Sequence, residues 1–335
     1  MTLRPLPVLL PLLLLGGILP AQEPSPASPS DSRYVVDDEA FEKASGEKTE
    51  TLAKDGKLVP YTEIARRIPA HRDPVTAAPL CTDPLTPPRL AEKLRHSTVA
   101  VGLRYQEPHS RKWRYMIGAT AFAVAPETLS TALHVMTIDP NMMRDAEAVA
   151  VTEEGRVFPI TQVVASSDRA DTCLVHVPGL DLPPLALRTG VLPGEQVWCM
   201  SHPDGFAYMF TSGQVARVSR DRWDKKHQPA LHLEVTAEYC PGSSGGPVTD
   251  AAGNVVAQVS SINNYDGFSS GDGKSVNGIV SARTCTAAEE LALLLAAGEN
   301  EAVPLPSPEQ RKKAKGPKSA PSPKGPKEER PVPKG

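Results

Sequence analysis

The sequence predicts an all-β fold. Many short apolar runs rich in Val, Ile and Thr follow one another, among them "STVAVGL", "YMIGATAFAV" and "NVVAQVSSI". Turn residues separate them at a spacing of roughly ten to twenty residues, the pattern of a barrel or sandwich. Helical periodicity is almost missing between the runs, whereas a parallel α/β sheet would need a helix in each crossover.

Taken in order, residues 1–21 read "MTLRPLPVLLPLLLLGGILPA". Arg4 precedes an apolar stretch broken by Pro5, Pro7 and Pro11, and its longest proline-free run, Leu12 to Leu19, is too short to span a bilayer. The segment reads as a secretory signal cleaved near Ala21, with no stable membrane insertion, and implies a secreted or periplasmic protein; retention as a membrane anchor is the minority reading. Residues 22–33 form a Pro/Ser linker. Residues 34–88 are charged, poor in large apolar side chains and lack clear periodicity. They are expected to drape over a domain or to stay partly disordered.

From Arg89 the character changes. "RLAEKLRHSTVAVGLRY" looks like a short helix feeding a strand. The β-like runs continue through "TLSTALHV", "EAVAVTE", "RVFPITQVV", "DTCLVHV", "EQVWCMS", "MFTSGQVARV", "ALHLEVTA" and "NGIVSAR". One helix closes the region: "TAAEELALLLAAG" opens with Thr286 and Glu289 at capping-box spacing and stops at Gly298. Residues 299–335 are Pro/Lys-rich and have too little apolar content to bury, so a disordered basic tail is expected. The structured domain is therefore 89–298.

The net charge of -3 argues against bulk nucleic-acid binding. None of the five cysteines, Cys81, Cys173, Cys199, Cys240 and Cys285, forms a CxxC pair, so no metal or redox site is expected, and no cofactor. The odd count leaves at least one thiol unpaired or bonded to another chain. Cys173 and Cys199 lie in apolar runs and read as buried small hydrophobes.

The stretch "EYCPGSSGGPVTD", Glu238 to Asp250, surrounds Ser244 with turn formers. Alone, such a cluster reads as a loop. A serine hydroxyl becomes a nucleophile only with a base, and the base needs an orienting group. All eight histidines precede Ser244. The G-x-S-x-G elbow of α/β-hydrolases is thereby excluded, because its histidine follows the serine. The subtilisin order places aspartate first, on a parallel scaffold that the strand pattern does not support. The order His, Asp, Ser on an all-β chain remains. His134, at the end of the run from Leu129, is the first candidate base, and His176 and His202 compete with it. Asp171 opens "DTCLVHV" and can orient an imidazole from a strand edge, as can Asp168.

Three blocks then carry a resemblance. "STALHV" resembles the T-A-x-H block of trypsin-like serine proteases, "RADTCLVHV" resembles their aspartate block, and "PGSSGGPV" resembles their G-D/N-S-G-G-P block. The intervals, 37 residues from His134 to Asp171 and 73 from Asp171 to Ser244, are also similar to that family's. "QVWCMSHPDGFAYMFTSGQVARVS" and "NGIVSAR" resemble strands of bacterial HtrA/Deg-type members, so the likeness runs from about Leu90 to Gly298. The resemblance implies two six-stranded β-barrels of the chymotrypsin-like type with a C-terminal helix. It implies a serine endopeptidase with His134, Asp171 and Ser244 as the catalytic residues. The backbone N–H groups of Gly242 and Ser244 would form the oxyanion hole, and a peptide or protein would be the substrate.

By the same resemblance, Glu238, Tyr239, Ser260 and Ile262 belong to the substrate pocket. Glu238 takes the floor position, where an acid selects Arg or Lys. Ile262 stands where trypsins have a glycine, so a small or medium aliphatic residue is expected before the scissile bond, with Glu238 turned away. Ser243 replaces the aspartate that pairs with a freshly cut N-terminus, so no activation by such a cut is expected. After Arg283 no PDZ domain fits, and Ala121 replaces a family glycine. The alternative reading is a protease-fold binding protein that has lost catalysis.

Overall fold

The computed structural model describes residues 35–220, 229–266 and 279–300, with side chains for 229–262 and 282–300 in the last two segments. The expected signal segment and linker, and the tail from residue 301, lie outside the described residues.

The N-terminal extension forms helices where the sequence shows no periodicity: α1 (Asp38–Lys54) and α2 (Tyr61–Arg66). Asp37 caps α1 by accepting from the Ala40 N–H at 2.9 Å, acids fill the first turn and Lys54 ends the last, which suits the helix dipole. The face of α1 that is fully buried is polar, consisting of Ser45 and Thr49. Their hydroxyls donate to the Glu42 and Ser45 carbonyls, so neither is left unpaired, and an apolar-stripe search passes over the helix. Phe41, Leu52 and Ala53 complete the contact by packing on Leu58, Ala100, Ile117, Val149 and Val151. A two-residue strand, β1 (His71–Arg72), follows, and then α3 (Pro87–Ser97), which runs directly into a strand as the sequence predicts.

Strands β2 (Thr98–Gln106), β3 (Trp113–Ala125), β4 (Thr128–Thr131), β5 (Ala146–Val151), β6 (Val157–Pro159), β7 (Gln162–Ser167) and β8 (Thr172–His176) make one antiparallel sheet in the order β6-β5-β2-β3-β4-β8-β7. Its two edges are halves of one chain segment. Between them the Ile160 N–H donates to Ala148 in β5, and the Thr161 N–H donates to His176 in β8. The segment thus changes partners at Pro159–Thr161, beside a proline that has no N–H to give. Counted as one bent strand, β6 and β7 close a six-stranded barrel. Its interior shows the two-residue period of strands: Val99, Val101 and Leu103 from β2 meet Ala119, Ala121 and Ala123 from β3. Ala121 is therefore a core position.

The second sheet is a closed barrel, β10-β11-β14-β13-β12-β9, built from β9 (Gln196–Ser201), β10 (Met209–Arg220), β11 (Leu231–Val235), β12 (Pro247–Thr249), β13 (Val255–Asp266) and β14 (Ile279–Ala287). Val197, Cys199, Val215, Leu233, Val235, Val248, Val259 and Cys285 fill it. A buried polar chain ties the barrels together: the Ser130 hydroxyl donates to Gln258 at 2.5 Å, and the Gln258 amide donates to Thr172 at 3.2 Å. The architecture is the two-barrel arrangement the resemblance implies. All five cysteines are free thiols, and Cys173 and Cys199 are buried.

The C-terminal helix α4 (Ala288–Leu295) starts later than the sequence predicts, and the capping box is not made. Thr286 still belongs to β14, where it pairs with His232 and Gln258, and its hydroxyl donates to the Ala170 carbonyl at 2.6 Å. Glu289 accepts instead from the Gly190 N–H at 2.8 Å. After α4, β15 (Gly298–Glu299) pairs antiparallel with β1.

Candidate active site

The site lies where the two barrels meet, and each side chain in it has a rigid mount. His134 sits in a 3-10 turn, Leu133–Met136, that ends β4. Asp171 sits in the turn between β7 and β8 at φ 48, a left-handed conformation that costs an L residue about 1–2 kcal/mol. Strain of this kind persists where the surroundings hold it. Here the Asp171 carboxylate accepts from the His134 backbone N–H at 3.0 Å, from His134 Nδ1–H at 2.8 Å and from the Ser260 hydroxyl at 2.7 Å.

Proton placement follows from these contacts. An ionised carboxylate only accepts, so His134 carries its proton on Nδ1. The other nitrogen, Nε2, is then a lone pair, and the Ser244 hydroxyl donates to it at 2.9 Å. Burial acts to lower the His134 pKa, but the hydrogen bond and charge of Asp171 outweigh it and hold it above the ordinary histidine value. Burial acts to raise Asp171, yet the His134 and Ser260 bonds hold it below the usual carboxylate value.

Ser244 rides on a loop stitched to both barrels. Its carbonyl accepts from the Thr120 N–H in β3 at 2.9 Å, and the Gly245 N–H donates to Val259 in β13 at 2.8 Å. Gly245 has φ 86, and a Cβ there would stand 2.2 Å from the Thr120 carbonyl oxygen, so no side chain fits. Gly242 has φ 97, and a Cβ on it would meet the His202 carbonyl at 2.5 Å. The Pro241 carbonyl accepts from the Asp204 N–H at 2.7 Å. A trans peptide points its C=O and N–H opposite ways, so the Gly242 N–H faces away from that bond. Among the described residues, neither the Gly242 N–H nor the Ser244 N–H donates to a backbone or side-chain acceptor.

Beside Ser244 lies a cavity of about 160 Å³ lined by Tyr239, Cys240, Pro241, Ser244, Val259, Ser260, Ser261 and Ile262. Tyr239, Ser260 and Ile262, singled out in the sequence, all line this cavity. Glu238, given the floor position by the resemblance, does not line it: its side chain is turned away, 78% exposed, and its carboxylate lies 3.5 Å from Arg283. Tyr239 turns inward, its hydroxyl 3.1 Å from the Ser261 carbonyl, and its neighbour Glu238 turns out. The rival histidines stand elsewhere. His176 pairs in β8 with Gln162 and Thr128, and His202 is fully buried, where burial and then the Arg95 charge push its pKa down to about 3. Asp168 contributes its backbone carbonyl to the turn, accepting from the Asp171 N–H.

Two features escaped the sequence reading. Ser260 is a hydrogen-bond donor to Asp171 as well as a cavity wall. Thr120 accepts from the His202 N–H at 3.1 Å and donates to the Gly242 carbonyl at 3.0 Å, bracing the loop from 122 residues away. No local signal marks that role.

Two β-barrels with a hydrogen-bonded Ser-His-Asp set between them make the two-barrel, chymotrypsin-like fold. Residues 119–257 match the trypsin-like peptidase domain family. Among curated relatives, a probable periplasmic serine endoprotease DegP-like from Pseudomonas fluorescens is 29% identical over 124 residues, 36% of this chain and 26% of that protein. One of the same description from Hahella chejuensis is 31% identical over 103 residues, 30% of this chain and 22% of that one. The chain spans about a quarter of the length of such relatives. Among solved structures, the Rv3671c protease from M. tuberculosis in its active form aligns at TM-score 0.48 and 19% identity, over 69% of this chain and 99% of that one. The HtrA-type protease AlgW with a decapeptide aligns at TM-score 0.48 and 18% identity, over 63% and 67%.

Proposed function

We propose that the chain is a serine endopeptidase acting through an acyl-enzyme. The observation that carries this is the continuous hydrogen-bonded line from Ser244 through His134 to Asp171, with two unspent amides beside the serine. Ser244 Oγ attacks a peptide carbonyl while His134 Nε2 takes its proton, and Asp171 stabilises the imidazolium that results. The Gly242 and Ser244 N–H groups receive the oxyanion. His134 returns the proton to the leaving amine, and water then repeats the sequence on the acyl-serine.

The cavity beside Ser244 favours a small or medium aliphatic residue before the scissile bond. At about 160 Å³ it lies well below the roughly 300–1,000 Å³ of pockets for drug-sized ligands. Among the described residues no charged side chain lines it, and Ile262 stands on its wall. An exported setting fits the leader-like N-terminus and the periplasmic description of the relatives. Among the described residues, no helix is long and apolar enough to cross a membrane.

Turnover of paired peptides, one with valine and one with arginine before the scissile bond, tests the reading. The valine peptide should be preferred, and Ser244→Ala should lower its hydrolysis by about 10⁴–10⁶. Near-normal turnover in that variant would reject the nucleophile. A folded wild-type protein that binds peptides without cleaving them would favour the binding-protein alternative.

A further inference from the structure

We propose that helix α1 positions the oxyanion site: Asp38, acting through the loop 202–208, holds the Pro241–Gly242 peptide so that the Gly242 N–H stays available to substrate. The inference rests on the peptidase reading above. Asp38 touches no substrate, so it is a positioning residue.

The first turn of α1 reaches the loop between β9 and β10. Asp38 Oδ1 accepts from the Ala207 N–H at 2.8 Å. One turn on, Phe41 meets Tyr208 edge-to-face at 6.1 Å, and Tyr208 meets His202 the same way at 4.6 Å. That loop then grips Gly242 from two sides. The Asp204 N–H donates to the Pro241 carbonyl, and the His202 carbonyl packs so close to the Gly242 Cα that no Cβ fits between them. Thr120, which accepts from the His202 N–H, fixes the Gly242 carbonyl. Both carbonyls that flank Gly242's own amide are therefore held by the loop or by a residue bonded to it.

The loop is not at rest in this shape. Asp204 and Tyr208 adopt φ 49 and φ 59, left-handed values that aspartate tolerates but that a bulky tyrosine holds only when contacts impose them. The Asp38 carboxylate and the Phe41 ring are among those contacts. Without them the loop can relax, the Asp204 N–H leaves the Pro241 carbonyl, and the 241–242 peptide is free to turn over. A carbonyl then replaces the N–H that should meet the oxyanion, and binding of the ground-state substrate hardly changes. The rest of α1 is anchored independently of Asp38. The Tyr115 hydroxyl donates to Ser45 at 2.9 Å, Lys48 donates to the Gly155 carbonyl at 2.6 Å, and Arg104 pairs with Glu50 at 2.8 Å. Loss of the Asp38 carboxylate should therefore release the loop without releasing the helix.

The test compares full-length wild type, Asp38→Ala and Asp38→Asn on a valine peptide anilide, together with the affinity of a peptide aldehyde of the same sequence, whose adduct carries the oxyanion. In Asp38→Ala, kcat should fall at least about ten-fold toward the roughly 10²–10³ typical of a lost oxyanion donor. KM should stay within about three-fold, because the lost interaction belongs to the transition state. Aldehyde affinity should fall in step with kcat. Asp38→Asn keeps an acceptor oxygen and should restore both. Unchanged kcat in Asp38→Ala, a loss confined to KM, or no rescue by Asp38→Asn would overturn the inference and leave the peptidase reading intact. A wild type that neither cleaves the anilide nor binds the aldehyde would overturn both.

Discussion

At the scale of single residues, the proposed chemistry rests on one carboxylate with three donors. Asp171 receives the His134 ring, the His134 backbone and Ser260. The first of these sets the pH response. The His134 pKa is raised, so the neutral imidazole that the proposed mechanism needs becomes the major form only at a pH above the ordinary histidine value of about 6.5. The stabilisation from the His–Asp pair has the opposite sense for histidine: it is fully present below that value and lost as pH rises through the raised one. For Asp171, held low, it is present above the usual carboxylate range and lost as pH falls through the lowered value. A profile of kcat/KM against pH should therefore show an acid limb with its midpoint above about 6.5. Asp171→Asn should lower kcat by about 10⁴ and move that midpoint down, since burial alone remains to act on the ring. Asp168→Asn should do neither, and the reverse pattern would exchange the two roles. His134, Asp171 and Ser244 were legible because chain order excludes the competing hydrolase classes and sequence blocks single them out. Thr120 was not, because its role comes from backbone groups that only the folded chain brings near it.

At the scale of elements, the serine loop shows why glycine is needed at one position above all. Gly245 combines φ 86 with the Thr120 carbonyl where a side chain would go. Gly245→Ala should disturb the Thr120–Ser244 and Gly245–Val259 backbone bonds and cost both activity and stability. Turnover should fall by at least about 10², the scale expected when a reacting atom is misplaced by about 1 Å. Urea unfolding should show a loss above about 1 kcal/mol, because a left-handed alanine adds strain to overpacking. Full activity in that variant would mean the loop has more room than its contacts show. The helices show the limits of pattern reading. α1 buries serine and threonine with their hydroxyls satisfied locally, so its buried face carries no apolar signature. The Thr286–Glu289 spacing looks like a cap, but β14 holds Thr286 in the barrel, so pairing in the sheet overrides the local signal.

At the scale of the whole molecule, the two barrels are joined at the site and also at the back, where α4 returns. Glu290, 5% exposed, pairs with Arg169 of the β7–β8 turn at 2.6 Å and accepts from the Leu231 N–H of β11 at 2.7 Å. One carboxylate thus links the turn that carries Asp171 to the second barrel. Glu290→Ala removes the acceptor of a partly exposed guanidinium and of the Leu231 amide and should cost about 1–3 kcal/mol in urea unfolding, the usual penalty for leaving a donor without its acceptor. A change under about 1 kcal/mol would mean that Arg169 relaxes to other partners, since exposed pairs are worth no more than that. The central claim, that the two barrels present Ser244 as an activated nucleophile, is met most directly by fluorophosphonate labelling of the folded protein with peptide mapping of the adduct. A single adduct on Ser244, lost in His134→Ala, is the expected result. A folded protein that takes no label, or takes it at another serine, would contradict the claim.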